Sequence, residues 1–437
     1  MKNILIAIRS IFKKGRHNVM KIVSLGIGLA VGLVLIAKVY FEQSYDDFYP
    51  DRDRVYQVWA KYQQNGGELK DYPQTSGGIA PTMQQQIPEI ETVTRYTSFG
   101  DWTFTMTDTK MKYSGRCIIA DSCFFDILPR PMLIGNAKEV LSIPMYVLVS
   151  SRIAKNIGGD VIGKNFTVDS SPGRTMTIGG VFEEVPENSH SRYDVIVSMA
   201  SAGRFMWEGS PTNMLGNDRY ISYVKLHKGV NPLALEEQVH TFVNSYFPPE
   251  EQQKTGFNIG FSFHELDGLH KELPQVKRMT WILSLLAFAL IFTAVMNYIL
   301  IVISSIVNRS KEVAVHKCYG ASENNIHGMM FGEALVHIVL SLILALLLIL
   351  AFRGTVEELL ATSLDSLLLS NGSLVLLGIC ILVFFVSGFM PGSLYARIPV
   401  ASAFRNYREN KRIWKKALLL VQFVATGFSL PVNIRLW

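Results

Sequence analysis

Apolar residues concentrate in four long runs instead of being spread evenly along the chain. The runs cover residues 22–37, 279–307, 334–352 and 373–389. A helix needs roughly 20 apolar residues to cross a bilayer core of about 30 Å, and the last three runs approach or exceed that length. The first run is shorter and spans a bilayer if the ammonium of Lys38 extends to the interface. A buried core helix rarely runs for so many residues without a polar face. The four runs therefore predict four membrane helices.

The charged residues beside these runs differ in sign from one end of each run to the other. Basic residues precede the first run and follow the second and the fourth, whereas acidic residues cluster at 42–53 and 357–365. Because basic flanks stay in the cytosol, the N-terminus is predicted to be inside and residues 42 to 278 outside. The later loops alternate without conflict. We therefore expect the protein in the inner, cytoplasmic membrane of the cell.

The long region between the first two runs mixes strand and helix patterns. Alternating residues predict strands at 102–106, 176–178 and 193–197. Helices are predicted at 79–87, at 150–157 and, after Asn231 as the N-cap, at 232–246. Because the two kinds of element interleave, this region is predicted to be a mixed α/β domain of one or two lobes.

Together these patterns predict a multi-pass α-helical membrane protein whose large extracytoplasmic α/β domain is inserted between the first and second membrane helices. The predicted segments, in chain order, are a cytosolic amphipathic lead at 1–21, membrane helix 1 at 22–40, the extracytoplasmic domain at 41–278, membrane helix 2 at 279–307, a cytosolic loop at 308–327, membrane helix 3 at 328–352, an external loop at 353–372, membrane helix 4 at 373–395, a cytosolic basic linker at 396–416 and the start of a fifth membrane helix at 417–437.

Three residues inside the runs indicate how the membrane helices pack. Gly28 and Gly32 form a small-xxx-small pair, which lets two helices approach closely in lipid. Glycine is also common in membrane helices without a packing role. Asn297 is polar within the second run, and we expect it to form a hydrogen bond between helices; direct contact with a substrate is the alternative.

The motifs that suggest enzyme chemistry are incomplete. The segment Gly158–Lys164 has the spacing of a phosphate-binding loop, but Asn165 occupies the position of the magnesium-binding Ser or Thr. His264 and His270 are six residues apart, whereas a zinc-protease helix needs four. We therefore expect no catalysis, metal site or cofactor in this chain. The net charge of +6 lies largely beside the membrane runs, so no nucleic-acid partner is expected either.

Two smaller features of the exported region stay open. Cys117 and Cys123 are both exposed to an oxidising compartment by this topology, so they form either a disulfide or two buried thiols. Glu183 and Glu184 are adjacent carboxylates without a partner that the sequence identifies. Beside Pro186 they are typical of a solvated turn.

The loop between the second and third runs carries the most specific motif. It reads Arg309-Ser-Lys-Glu-Val-Ala-Val-His-Lys-Cys-Tyr-Gly-Ala-Ser322 and resembles the R-x-K-E-I-G-[IV]-R-K-x-x-G-A-S signature of FtsX/MacB-type ABC transporter permeases. Ala314 replaces the usual glycine, and His316 the usual arginine. Segments 41–56, 268–270 and 390–404 resemble other parts of that family, so the likeness covers nearly the whole chain.

The resemblance implies that the extracytoplasmic domain is a MacB-like periplasmic core domain. It also implies that a separate ABC ATPase, which holds ATP and magnesium, binds the cytosolic loop. Gly320 is expected to end a short helix there with a left-handed cap. ATP-driven movement would then serve export, efflux or extraction of a substrate, or mechanotransmission. The expected contact residues are Arg309, Lys311, Glu312, His316, Lys317, Gly320, Ala321 and Ser322.

Two other functions stay open. One is a non-transporting scaffold for cell-envelope enzymes, as in the FtsX branch of the family. The other is a membrane ligand sensor, although such sensors usually carry a large cytosolic domain. The family layout has two halves, and this chain resembles the first half and the start of a second. The expected partners are therefore an ABC ATPase, a second permease half or a second copy of the chain, membrane lipids and a periplasmic or outer-membrane protein.

Overall fold

The chain divides into two compact units in the computed structural model, which describes residues 17–169, 171–368 and 372–396. One unit, the sheet domain, is Ser44–Leu273; the other, the helical unit, is built from the residues on either side of it in the chain. The predicted amphipathic lead up to residue 16, the basic linker beyond residue 396 and the predicted fifth helix at 417–437 lie outside the described residues.

The helices alternate with strands only within the sheet domain. In chain order the helices are α1 (Asn18–Gln43), α2 (Ile79–Gln86), α3 (Phe124–Ile127), α4 (Ala137–Ser142), α5 (Ser151–Ile157), α6 (Ala202–Phe205), α7 (Glu236–Tyr246), α8 (Pro249–Thr255), α9 (Gly268–Lys271), α10 (Pro274–Ser304), α11 (Ile306–Cys318), α12 (Glu323–Ala351), α13 (Arg353–Leu360), α14 (Leu364–Leu368) and α15 (Ser373–Ala396).

Three helices of the described part of the chain, α1, α10 and α12, are long and apolar enough to cross a membrane. The apolar part of α15, Ser373–Phe389, is shorter. These four helices occupy the positions of the four predicted membrane helices, with different ends. In particular, α12 begins at Glu323 and takes up part of the predicted cytosolic loop, and the predicted external loop at 353–372 contains α13 and α14.

Apolar residues of these helices form a common core in the helical unit. Leu25 and Leu29 of α1, Ile299 of α10 and Ile338 of α12 are buried in one cluster. Membrane helices gain little from excluding lipid, which is as apolar as they are, so close packing and hydrogen bonds must hold them together. The packing of small and polar residues therefore decides how this unit is built.

The sheet domain is built on one continuous sheet. Its strands are β1 (Val55–Gln64), β2 (Lys70–Tyr72), β3 (Ile90–Met106), β4 (Lys112–Ala120), β5 (Met132–Ile134), β6 (Tyr146–Ser150), β7 (Asn165–Val168), β8 (Ser171–Phe182), β9 (Val195–Ser198), β10 (Ile221–Leu226) and β11 (Phe257–Glu265). The order is β11-β1-β10-β3-β4-β9-β6-β8-β5, with β2 paired to β1 and β7 paired to β3 and β8.

The sheet is mixed, because β4 pairs with β9 and β6 with β8 in parallel, whereas β1 with β10 and β3 with β4 are antiparallel. The predicted mixed α/β domain is thus observed, and one sheet runs through it. Both faces of the central strands are buried. On β4, Cys117 and Ile119 belong to one apolar cluster and Ile118 to another on the opposite face.

Local signals in the sequence located several elements of this domain. The strands predicted at 102–106 and 176–178 are parts of the longer β3 and β8. The helix predicted at 150–157 is α5, where the Oγ of Ser150 accepts the N–H of Ile153 at 3.3 Å and Gly158, with φ +74°, ends the helix. The predicted strand at 193–197 begins two residues later, at Val195.

The segment predicted as one helix at 232–246 has two parts. Residues Pro232–Leu235 form a 3₁₀ turn, and the α-helix α7 begins only at Glu236. The residue that precedes α7 is therefore Leu235 and not Asn231, the predicted N-cap. Proline fixes its own φ and lacks an N–H, which suits such a first turn.

Candidate functional site

The segment with the permease signature consists of α11, a tight turn and the start of α12, and is named the α11–α12 hairpin (306–325) after that turn. Helix α11 ends at Cys318, and Gly320 adopts a φ of +86°. The N–H of Gly320 donates to the carbonyl of Lys317 at 3.0 Å, and the N–H of Ala321 donates to the carbonyl of His316 at 3.0 Å. These two bonds are a Schellman motif, so the predicted left-handed cap at Gly320 is confirmed.

Ser322 starts the second helix of the hairpin. Its Oγ accepts the N–H of Asn325 at 3.3 Å and caps α12. Glu323 follows in the first turn, where a negative charge is favourable beside the exposed N–H groups. Because Gly320 and Ser322 satisfy the backbone groups on either side of the turn, the tip of the hairpin has a defined shape.

Helix α11 has a buried face and an exposed one. Val313 and Ala314 are each 1% exposed and pack into the apolar core of the helical unit. Ala314 therefore differs from the family's glycine at a packing position and not on the exposed surface. His316, the other difference from the signature, is exposed.

The predicted contact residues do not all lie at the surface. His316, Gly320 and Ser322 are exposed, whereas Glu312, Lys317 and Ala321 are partly buried. The side chains of Arg309 and Lys311 lie outside the described part of the structure. Tyr319, whose side chain is 89% exposed at the tip, was not among the predicted contact residues. Its position directly before the helix-ending glycine was the available signal.

A row of polar residues on α12 connects this helix to its neighbours. Glu333, His337 and Ser341 are buried and four residues apart, so they share one face of the helix. The Nζ of Lys21 lies 3.7 Å from Oε1 of Glu333, and the Oγ of Ser341 donates to the carbonyl of Ile22 at 3.1 Å. Both contacts join α12 to α1.

The third member of the row joins α12 to α10. The hydroxyl of Tyr298 and Nδ1 of His337 are 3.2 Å apart and buried. Asn297, the neighbour of Tyr298 on α10, is partly buried, and its predicted hydrogen bond between helices stays a prediction. The polar row was not predicted, although ionisable residues such as Glu333 and His337 within an apolar run are a recognised signal of function.

The glycines of α1 lie against two different helices. A Cβ added to Gly28 would lie 2.2 Å from Cβ of Ala294, and one added to Gly32 would lie 2.4 Å from Cγ1 of Ile291, both on α10. A Cβ added to Gly26 would lie 3.1 Å from the carbonyl oxygen of Ser341 on α12. The missing side chains thus allow α1 to approach α10 and α12 on two of its faces.

Lys38 is buried near the other end of α1, and the expectation that its ammonium extends to the membrane interface stays a prediction. Its Nζ lies 2.6 Å from Oε1 of Glu42 and donates to Oγ1 of Thr362 at 2.8 Å. The loop before α14 supplies Thr362, which explains why α1 tolerates a lysine there. A paired and hydrogen-bonded ammonium does not need bulk water.

The remaining motifs of the sheet domain have structural roles. The segment Gly158–Lys164 connects α5 to β7, and His264 on β11 and His270 in α9 do not share a helix. Cys117 and Cys123 are free thiols, and burial raises the pKa of Cys123 to about 11. Among the described residues, no group of three or more acidic, histidine or cysteine side chains is arranged to hold a metal ion.

Comparisons with known proteins agree with the signature in the hairpin. Residues 284–400 match the family described as FtsX-like permease C-terminal. The comparison with curated proteins gave no match. Because the hairpin with its permease signature lies inside the matched residues, the chain belongs to the FtsX-like permeases, of the FtsX/MacB type.

Three solved structures that are similar to part of the chain are isolated domains or regions. A domain of a protein described as a permease, from Porphyromonas gingivalis, shares 32% identity over 50% of this chain and 91% of that one, with a TM-score of 0.46. The periplasmic region of MacB from Actinobacillus actinomycetemcomitans shares 15% identity over 47% and 87%, with a TM-score of 0.33. The extracellular domain of the ABC-type transporter YknZ from Gram-positive bacteria shares 10% identity over 47% and 98%, with a TM-score of 0.33.

Proposed function

We propose that this chain is the membrane subunit of an ABC transporter and that a separate ATPase moves it by binding the α11–α12 hairpin. The observation that carries the proposal is that the hairpin has an exposed tip and a buried side. Its tip is exposed at His316 and Tyr319, while Val313 and Ala314 are fixed in the core of the helical unit. A close-packed core transmits displacement instead of absorbing it, so a push on the tip reaches the neighbouring helices.

In this proposal α1, α10, α12 and α15 cross the inner membrane, with the hairpin in the cytosol and the sheet domain outside. Chain connections support a transfer of movement between the units. The sheet domain begins at Ser44, directly after α1, and ends at Leu273, directly before α10. Residues 44–54 form turns between α1 and β1, and residues 272–273 separate α9 from α10. Because both connections are short, a tilt of α1 or α10 in this proposal acts on the sheet domain.

In this proposal the partner ATPase holds ATP and magnesium. Movement of the sheet domain then serves export or extraction of a substrate, or force transmission. A second permease half or a second copy of this chain completes the membrane part, and a periplasmic or outer-membrane protein meets the sheet domain. A non-transporting scaffold for cell-envelope enzymes would use the same hairpin. It differs from a transporter because no substrate moves when the ATPase turns over.

Photo-crosslinking in native membranes tests the contact. A photoreactive phenylalanine analogue replaces Tyr319 at the tip, and in the matched control it replaces Leu359, which is 78% exposed on α13. We expect an ABC ATPase, recognised by its phosphate-loop peptide in mass spectrometry, to be crosslinked from position 319 and not from 359. Crosslinks from 319 that contain no nucleotide-binding protein, or equal yields at both positions, would contradict the proposal.

A further inference from the structure

A cavity of about 400 Å³ opens on the sheet domain beside the ends of β4 and β9. Its volume suits a small ligand. The lining is dominated by charged side chains, with four arginines and three acids. The arginines come from separate parts of the chain, namely Arg116 on β4, Arg130 before β5, Arg152 on α5 and Arg192 before β9.

Arg130 is the unusual member of this set, because its side chain lies beneath the cavity and is only 6% exposed. All three guanidinium nitrogens are buried without a hydrogen-bond acceptor among the described residues. The Tyr49 hydroxyl lies close enough to raise the pKa of Arg130 through a weak side-chain interaction, but the pair falls outside normal hydrogen-bond geometry and the hydroxyl is bonded to Ser191 at 2.6 Å. Burying a charge without such partners is costly, so this position needs an explanation.

Aromatic rings surround the guanidinium and partly offset that cost. Its central carbon lies 5.2 Å from the ring centre of Phe182, 5.8 Å from Phe124 and 5.9 Å from Tyr193. Burial lowers the pKa of Arg130, yet a guanidinium stays protonated in proteins. The rings exclude water and leave the positive charge poorly screened, so its field extends into the cavity above it.

Two of the three acids in the lining are already paired within the sheet domain. Arg152 forms ion pairs with Glu184, at 3.2 Å, and with Asp194. The second carboxylate oxygen of Asp194 accepts the backbone N–H of Arg116 at 2.9 Å. No ion pair joins Arg116, Arg130 or Arg192 to an acid within the described ranges, and the side chains of Arg116 and Arg192 are exposed at the rim. Asp101 is the remaining acid of the lining.

We propose that this cavity binds the oxyanion of a small molecule, a phosphate or a carboxylate. Arg116 and Arg192 reach the anion with their planar, two-pronged donors, and the buried charge of Arg130 attracts it from below. The neutral part of the ligand lies over Tyr193 and Val185, which also line the cavity. This site is independent of the proposed contact with the ATPase, since it lies wholly within the sheet domain.

Calorimetric titration of the full chain in detergent micelles tests the site, with phenyl phosphate and benzoate as probes and phenol as the neutral control. The ionic strength is held constant with chloride, because arginine clusters bind any anion weakly at low salt. We expect saturable binding of at least one charged probe with a stoichiometry of one, and none of phenol. Absence of saturable binding by both charged probes would overturn the proposal and indicate that water alone fills the cavity.

Three variants locate the binding. Arg130→Met keeps an unbranched apolar stem between the rings and removes the charge, and we expect it to weaken binding by about tenfold or more. Arg192→Gln changes an exposed side chain, so it cannot act through misfolding, and it should weaken binding as well. Arg204→Gln, an exposed arginine outside the lining, is the matched control and should bind like the native chain. Equal affinity in all three variants would place the binding elsewhere and overturn the proposal.

Discussion

Single residues determine the shape of the hairpin tip. The turn after α11 depends on one glycine, because Gly320 has a φ of +86°, a conformation that L-amino acids rarely adopt. Around an added Cβ at this position, the described residues leave open space within 4 Å. Any penalty for a substitution there is therefore conformational and not steric.

Gly320→Ala is expected to destabilise the tip by about 1 kcal/mol, because the left-handed conformation at the cap is unfavourable for alanine. Hydrogen–deuterium exchange of the full chain in detergent measures it, through faster exchange of the amides of residues 315–325. Gly354→Ala is the control, because Gly354 lies within α13 at a negative φ and its added Cβ also meets open space among the described residues. Unchanged exchange in Gly320→Ala would contradict the strained cap.

Two cysteines with different surroundings provide a second prediction at this scale. Cys318 is exposed at the end of α11, whereas burial and the nearby charge of Asp121 raise the pKa of Cys123 to about 11. The thiolate is the reactive form, so at pH 8 Cys123 is almost fully protonated and should react slowly. We expect maleimide at pH 8 to label Cys318 before Cys123 in the folded chain. Cys318→Ser should remove the fast phase, and a fast phase that persists in this variant would contradict the assignment.

At the scale of elements, α1 holds the helical unit together. Its Gly28 and Gly32 lie against α10, and Gly26 and Lys21 lie against α12. The two contacts use different means, because the α10 side depends on close approach of backbones and the α12 side on buried polar pairs. Substitutions on the two sides should therefore destabilise the helical unit for different reasons.

Gly28→Leu should destabilise the helical unit by about 1–3 kcal/mol, because its side chain must occupy the space of Ala294 on α10. Gly378→Leu on α15 is the matched control, since an added Cβ there meets no atom of the described residues within 4 Å. The unfolding transition of each variant in detergent measures the difference. Equal stability of the two variants would mean that α1 and α10 do not pack through these glycines.

Glu333→Leu should cost about 3–5 kcal/mol, because it leaves the ammonium of Lys21 buried without its carboxylate. The double variant Lys21→Met and Glu333→Leu removes both charges and should recover most of the loss. The same unfolding experiment compares Glu333→Leu, Lys21→Met and the double variant. If the losses of the single substitutions simply add in the double variant, the two side chains do not form a pair that matters for stability.

At the scale of the whole molecule, the chain order is the informative feature. A compact sheet domain is inserted between two long apolar helices, and the hairpin with the permease signature follows the second of them. The proposed arrangement requires the hairpin and the sheet domain to lie on opposite sides of the membrane. This requirement can be tested without knowing the substrate.

A membrane-impermeant maleimide added to intact spheroplasts, from which any outer membrane has been removed, should leave Cys318 unlabelled until the inner membrane is opened. A cysteine introduced as Lys254→Cys, exposed on α8 of the sheet domain, should be labelled at once in a Cys318→Ser background. Labelling of Cys318 in intact spheroplasts would reverse the proposed orientation. Protection of both positions would exclude an extracytoplasmic sheet domain.

The sequence by itself determined the features that depend on neighbouring residues. The length of the apolar runs predicted the long helices, because a helix needs a certain number of consecutive apolar residues to cross a bilayer. Ser150 and Gly158 predicted the limits of α5, and Gly320 the end of α11, because caps are made within one turn of a helix. The signature in the hairpin identified the family for the same reason, since all of its residues are consecutive.

The tertiary structure alone decided which distant residues meet. The sequence does not indicate that Glu333 and Lys21 meet, and the pair exists only because α12 packs on α1. Arg130 and Arg192 lie beside one cavity because β9 is inserted between β4 and β6 in the sheet, an order that alternation of residues does not reveal. Hydrophobic periodicity indicates which face of an element is buried, but not which other element that face packs against. The partner element depends on the packing of the whole chain.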